Sequence, residues 1–478
     1  MLVRPPDGPW QGARVGRIAA CFVVGGALWL LGPPSGVSHT AWQLFSIFVA
    51  TIVGIVIKPL AMGAVALIGL TATALTRTLT PAEALSGFGD PTVWLIVSAF
   101  FIARGFIATG LGTRIAYLFV ASLGRKTLGL AYGLIATDLV MAPAIPSNTA
   151  RSGGVVYPIV AALASSLGSY PDPGTARRAG AFLILTAYQG AMITSAMFLT
   201  GTTGNLVAVR LAAEQGITVS WTTWAVAAAP PGVLSLVLVP LLIYRMYPPS
   251  IRDSPDAPGW AQSKMAAMGP LRPSEWTMGG VFLLMLSLWI SGGQLAMIDA
   301  PTVALVGLCV LVLSGVLTWS DILTERGAWD TLVWFAALIA IANHLSRLGL
   351  TSWFSQAVSS ALPATGWTSA LLVLALVYFY SHYLFASSTA HATAMYGAFL
   401  ATALALGAPP ILAALLLGYF NGLMGGTTHY GGGPAPVFFG SGYVPVSHWW
   451  LVGAAVSLLN ISIWLLVGGL WWRFLGYW

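Results

Sequence analysis

Two short polar stretches carry the residues that could do chemistry. Pro146-Ser147-Asn148-Thr149-Ala150-Arg151-Ser152-Gly153-Gly154 and Ser387-Ser388-Thr389-Ala390-His391-Ala392-Thr393 set hydroxyls, a carboxamide and two ionisable groups between apolar arms. Ser147 recurs as Ser387 and Thr149 as Thr389, 240 positions on, and Arg151 falls on His391. The same offset carries Val93-Trp94 onto Val333-Trp334, so the chain reads as an internal duplication with one element built twice. A Ser-Asn-Thr tip between two half-helices exposes hydroxyls and free N–H groups. The half-helix leaving the tip also points its positive dipole end at whatever lies beyond. Two facing tips can hold an anion with a carboxylate at each end. Glycine-rich breaks at Thr200–Asn205 and Thr427–Pro434 supply further hydroxyls and carbonyls. A lone Ser-Asn-Thr inside a helix back-bonds to the preceding turn; two copies at one offset, each followed by such a break, favour a binding site.

Arg151 and His391 occupy the same slot of the two copies. An ionisable side chain at membrane depth costs about 2.5–3.5 kcal/mol, so it usually has a partner or a function. They read as fixed cations beside an anion site. Otherwise Arg151 reaches for the interface and His391 is a neutral core histidine. Asp138, the acid in the hairpin arms, either neutralises Arg151 or serves as a proton or cation site. His429 lies in the second break and either touches a substrate or packs against Tyr430. His39, His344, His382 and His448 carry no motif.

The elements that must position these residues are set by composition. The chain is 57% hydrophobic and 7% charged, with a mean hydropathy of +0.84, whereas soluble domains use about 25% charged residues. This is an all-α polytopic membrane protein. The net charge of +7 comes from basic residues scattered at the ends of apolar runs, which orient spans and do not form a nucleic-acid surface. Cys21 and Cys309 read as small core residues. The first apolar run leads into Gly32-Pro33-Pro34 without a small-x-small site, so it reads as a span and not a cleaved signal.

About eleven transmembrane helices and two re-entrant hairpins account for the sequence. The first repeat covers 1–246: scaffold spans to about 123, a hairpin at 127–167, a broken span at 181–213 and a span at 224–246. Leu111–Leu123 reads as interfacial. A Pro-rich polar stretch, 247–275, reads as a cytoplasmic linker in water. The second repeat covers 276–478: scaffold spans at 276–360 with a surface helix near 351–360, a hairpin at 367–406, a broken span at 409–436 and a last span at 446–472. With the N-terminus in the cytoplasm and the C-terminus outside, fifteen of the twenty Lys and Arg residues, Arg4 included, gather on the inner side. An odd number of spans between equivalent points inverts the second copy, the plan of secondary transporters. A bacterial inner membrane fits this layout.

With these residues in view, the tips resemble the paired Ser-Asn-Thr signatures of the divalent anion/sodium symporter family. Thr428-His429-Tyr430-Gly431-Gly432-Gly433-Pro434-Ala435-Pro436 resembles its citrate/succinate antiporter and plastid 2-oxoglutarate/malate translocator branch. The resemblance covers essentially the whole chain. It implies a homodimer, an elevator-type movement and a dicarboxylate substrate. It places Ser147, Asn148, Thr149, Ser387, Ser388 and Thr389, with Thr202, Thr428, Gly432 and Gly433, against substrate. In sodium-coupled relatives the cation sites fall at Ser147, Asn148, Gly201, Thr389 and Gly431. Ser388 stands where the signature has Asn, and Gly432 where Thr or Ser is common. The expected activity is sodium-independent exchange of C4/C5 dicarboxylates, with Arg151 and His391 in place of coupling cations and no cofactor. The rivals are a sodium-coupled di- or tricarboxylate symporter, a polytopic membrane enzyme and an ion channel. No acid pair or His-Glu-x-x-His run supports the enzyme.

Overall fold

The computed structural model describes residues 12–291, 299–350, 353, 366–385 and 387–478. Arg4, Ala386 and the expected surface helix at 351–360, apart from Trp353, lie outside the described residues. The described residues form helices without strands. Seven helices have the length and apolar character to cross a membrane, among them Gly180–Met197, Trp221–Met246 and Val446–Phe474. Several other expected spans fall on shorter apolar helices, such as Met62–Leu75 and Ala300–Leu313. Large apolar side chains stand exposed along them, including Phe22, Leu30, Leu283, Ile290, Leu458 and Leu470. Such a surface is at home in lipid and not in water.

The chain divides into two compact units. One takes the residues up to Val93 and returns for the stretch from Trp329. In it Val15–Leu31, His39–Ile57 and Met62–Leu75 pack in sequence. Ser38 caps the second of these by accepting from the Ala41 N–H, and Asp330 Oδ1 accepts from the Gly63 N–H at 3.2 Å. The other unit takes Trp94 to Ala328 and the C-terminal stretch, and it contains both polar tips. At its centre Gly180–Met197 is buried on every side. It packs against Trp221–Met246, Thr127–Met141 and Pro410–Leu423. A helix with no polar face needs such surroundings.

Helix boundaries repeat with the sequence. Thr127–Met141 and Trp367–Ser381, the leading hairpin arms, match at both ends at the 240-residue offset. Past each tip the helix widens to π-helical turns, Thr149–Val156 and Ala392–Tyr396, which end at equivalent positions. π-Turns inside helices often mark functional sites. Two short helices begin with matching capping boxes, Thr80 with Glu83 and Thr318 with Asp321.

Two expectations change. The 247–275 stretch is not only a loop in water: it contains the helix Ala257–Met268, which packs on Leu111–Leu123 with Trp260 edge-on to Tyr117. At its end Glu275 takes Arg114 Nε at 2.6 Å and Nη2 at 3.1 Å in a buried fork, so Arg114 does not reach into solvent. Cys309 is exposed on Ala300–Leu313, whereas Cys21 is buried; both are free thiols. An apolar position on a lipid-facing helix has no protein neighbour to bury it.

Candidate functional site

Each tip is built by a serine that turns the chain into a helix. Ser147 Oγ accepts from the Ala150 N–H at 3.2 Å, and Ser387 Oγ accepts from the Ala390 N–H at 3.3 Å. The Ser147 carbonyl takes the Arg151 N–H at 2.9 Å, and the Ser387 carbonyl takes the His391 N–H at 3.0 Å. The two tips are therefore the same N-cap. The N–H groups of Asn148 and Thr149, and of Ser388 and Thr389, lie in first turns, where a helix has no acceptor of its own. Asn148 and Ser388 are buried, Ser147, Ser387 and Thr389 are half-buried, and Thr149 is exposed.

Arg151 is fully enclosed by the protein. Its Nε stands 3.1 Å from both carboxylate oxygens of Asp138. Nη1 donates to the Ile145 carbonyl at 2.7 Å and the Gly201 carbonyl at 2.8 Å, and Nη2 donates to Ser195 Oγ at 2.7 Å. Ser152 and Thr194 donate their hydroxyls to the same carboxylate. Asp138 thus neutralises Arg151. The guanidinium is held as a structural cation at the first tip.

At the offset, Asp138 becomes Tyr378 and Arg151 becomes His391, and these two rings also meet, with centroids 4.5 Å apart. His391 Nε2 is 2.8 Å from Ser381 Oγ. His382, a residue without a motif, is buried beside it and bonds the Gly431 carbonyl through Nε2 at 2.8 Å. Gly201 and Gly431, each in its glycine-rich break, therefore both accept a hydrogen bond from a basic side chain of the adjacent hairpin. That recurrence was the signal for His382, but it needs the contact to be seen.

The breaks cross over to the opposite tips. A Cβ on Gly433 would collide with Thr149 Oγ1 and come within 3.1 Å of Asn148 Oδ1. A Cβ on Gly204 would collide with Asn421 Nδ2 and stand 3.7 Å from the Ser388 carbonyl. Each tip is thus approached by the break of the other half; at Gly433 only glycine allows the approach, whereas at Gly204 the glycine makes room for Asn421. Thr202, Thr428 and Gly432 are buried, whereas Gly433 is exposed next to Thr149. His429 sits apart from this arrangement: its Nδ1 accepts from the Trp450 indole at 3.0 Å, and its ring packs on Tyr430 and Phe439. No cluster of three or more His, Cys, Asp or Glu residues is placed to hold a metal among the described residues.

Capped polar tips set in an apolar helical body and approached by glycine breaks fit a membrane transporter. The family model for the transmembrane region of sodium:sulfate symporters matches residues 13–478, and the chain belongs to that family, the divalent anion/sodium symporters. YflS of Bacillus subtilis (strain 168), a candidate malate transporter by name, is 55% identical, with 95% of each chain covered. The chloroplastic dicarboxylate transporter 1 of Spinacia oleracea is 50% identical over 98% of this chain and 83% of its own. The citrate/succinate antiporter of Escherichia coli (strain K12) is 35% identical over 97% and 99%. Among solved structures, the YdaH transporter of Alcanivorax borkumensis matches with a TM-score of 0.57 and 13% identity, covering 96% of this chain and 97% of that one. At that identity the likeness concerns the fold alone.

Proposed function

We propose that the protein exchanges C4/C5 dicarboxylates, such as malate, succinate or 2-oxoglutarate, across a bacterial inner membrane without sodium. The names of its relatives support the substrate class. The observation that carries sodium independence is the Arg151–Gly201 bond at 2.8 Å. Gly201 is where the family resemblance puts a cation, and a guanidinium donor already occupies its carbonyl. Ser147, Asn148 and Thr149 hold one carboxylate of the guest, and Ser387, Ser388 and Thr389 the other. Thr202, Thr428, Gly432 and Gly433 complete the walls, and Arg151 and His391 serve in place of coupling cations.

Asp138 already balances the charge of Arg151. An empty site is not an unpaired arginine, but it does carry first-turn N–H groups without acceptors at both tips. Moving unsatisfied donors through hydrocarbon is costly, and a dianion satisfies them. The loaded carrier therefore crosses more readily than the empty one, which gives exchange. The two hairpins belong to inverted repeats, the tip-bearing helices move in elevator fashion, the protein is a homodimer, and its N-terminus is cytoplasmic. These four features rest on the family resemblance and on the distribution of Lys and Arg.

Counterflow in proteoliposomes against a panel of di- and tricarboxylates tests the proposal. Trans-stimulated dicarboxylate uptake of equal rate in sodium-free and sodium-containing buffer is the expected result. Uptake that requires sodium would return the protein to the symporters.

A further inference from the structure

The second hairpin contains two buried bases, and geometry fixes the tautomer of each. His382 Nε2 faces the Gly431 carbonyl at 2.8 Å; a carbonyl only accepts, so Nε2 carries the hydrogen. His391 Nε2 faces Ser381 Oγ at 2.8 Å. Ser381 already donates its single hydroxyl hydrogen to the Tyr378 carbonyl at 2.8 Å, so His391 Nε2 is the donor as well. Both Nδ1 atoms are then bare lone pairs, buried and without a hydrogen-bond partner. The rings stand edge to face with centroids 5.5 Å apart. Native proteins rarely leave two buried acceptors unpaired side by side unless something else fills them.

The elements around the pair carry these titratable groups. Tyr378 lies on the leading arm and Tyr396 on the departing half-helix. Tyr419 lies on Pro410–Leu423, and His429 and Tyr430 lie on the break. On the Thr203–Ala213 side, Arg210 pairs with Glu214 at 4.0 Å. Among the described residues no carboxylate forms an ion pair with His382 or His391. This is the contrast with the first hairpin, where Asp138 permanently balances Arg151. A guest carboxylate on Ser387–Thr389 lies within about one helical turn of His391 and brings the missing negative charge. Burial by itself disfavours an imidazolium; the attraction of a guest carboxylate at that range is what favours one.

We infer that His382 and His391 form a one-proton binding site that fills when a dicarboxylate occupies the second tip. The proton comes from water, adds to the lone pair of one Nδ1, and leaves when the guest leaves; no other bond changes. Two imidazoliums in edge contact repel, so the pair takes one proton and not two. The inference rests on the dicarboxylate reading above and assigns a role to His382.

Calorimetry of the purified full-length protein with 2-oxoglutarate at pH 7.5, where the guest is already a dianion, tests it in HEPES and Tris. These buffers differ in ionisation heat, so proton uptake makes the observed heat buffer-dependent, by up to one proton per guest. Affinity should weaken by up to about tenfold per pH unit as pH rises. His382→Gln and His391→Gln each keep a side-chain N–H donor but lack Nδ1; each single variant retains one bare lone pair, so the proton count should fall to zero in the double variant. Saturable wild-type binding with buffer-independent heat overturns the proton site and leaves the dicarboxylate reading standing. A proton count that survives in the double variant also overturns it. Absence of any saturable heat in the wild type removes the dicarboxylate reading, and the proton site with it.

Discussion

Asp138 and Arg151 lie on opposite arms of the first hairpin and meet at 3.1 Å, both buried. Their counterparts in the second hairpin, Tyr378 and His391, meet as two rings. One fold position thus holds a fixed ion pair in one half of the molecule and a neutral, protonatable pair in the other. The two tips share a backbone design but differ in how they respond to charge.

Arg151→Ala leaves the Asp138 carboxylate buried with hydroxyl donors only. Removing one partner of a buried pair costs about 3–5 kcal/mol, so thermal stability in detergent and counterflow should both collapse. The double variant Asp138→Asn/Arg151→Gln removes both charges and should recover a large part of the stability. If Arg151→Ala exchanges at the wild-type rate, the guanidinium has no place at the site.

Gly433→Ala places a methyl group against Thr149 Oγ1 and Asn148 Oδ1. Overpacking of this kind costs about 1–3 kcal/mol, and here it falls on the first tip. Dicarboxylate affinity should drop by about tenfold or more with the fold intact. Gly440→Ala, which meets nothing within 4 Å, is the control. Equal affinities in the two variants would separate the break from the tip.

Thr149 is exposed although apolar arms flank its tip. In a Cys309→Ser background, where Cys21 is buried, Thr149→Cys should react with a small thiosulfonate. Saturating dicarboxylate should slow the reaction severalfold. Labelling that is indifferent to substrate would move the guest away from this tip.

The paired capping boxes give a pH dependence outside the spans. The Thr80 N–H, and then its hydroxyl, hold the Glu83 carboxyl below its usual range. The Thr318 hydroxyl, and then its N–H, do the same for Asp321. A lowered folded-state value means that the cap is fully present above the ordinary carboxylate range, about 4, and is lost as pH falls through the lowered value. Amide exchange at the starts of Pro81–Leu85 and Trp319–Thr324 should be flat from pH 7 to about 5 after correction for intrinsic rate. Protection should fail together at both helices on further acidification. Loss of protection at neutral pH would contradict it.

Much of this molecule is written along the chain. Apolar runs fix where helices form, because a backbone in lipid must satisfy its own hydrogen bonds. The recurrence of Ser147 as Ser387 locates both tips, because a serine N-cap is a local device that needs only the next three residues. Tertiary structure alone decided which groups close around those tips. Asp138 could have been a proton site or a counter-ion until the folded hairpin set its carboxylate against Arg151. His382 carries no motif, and only the fold brings it to the Gly431 carbonyl, 49 residues away. The crossing of Gly433 onto Thr149, and of Gly204 onto the second tip, joins opposite halves of the sequence. Local propensity governs the first kind of feature; the second depends on contacts between distant segments, which no short stretch of sequence encodes.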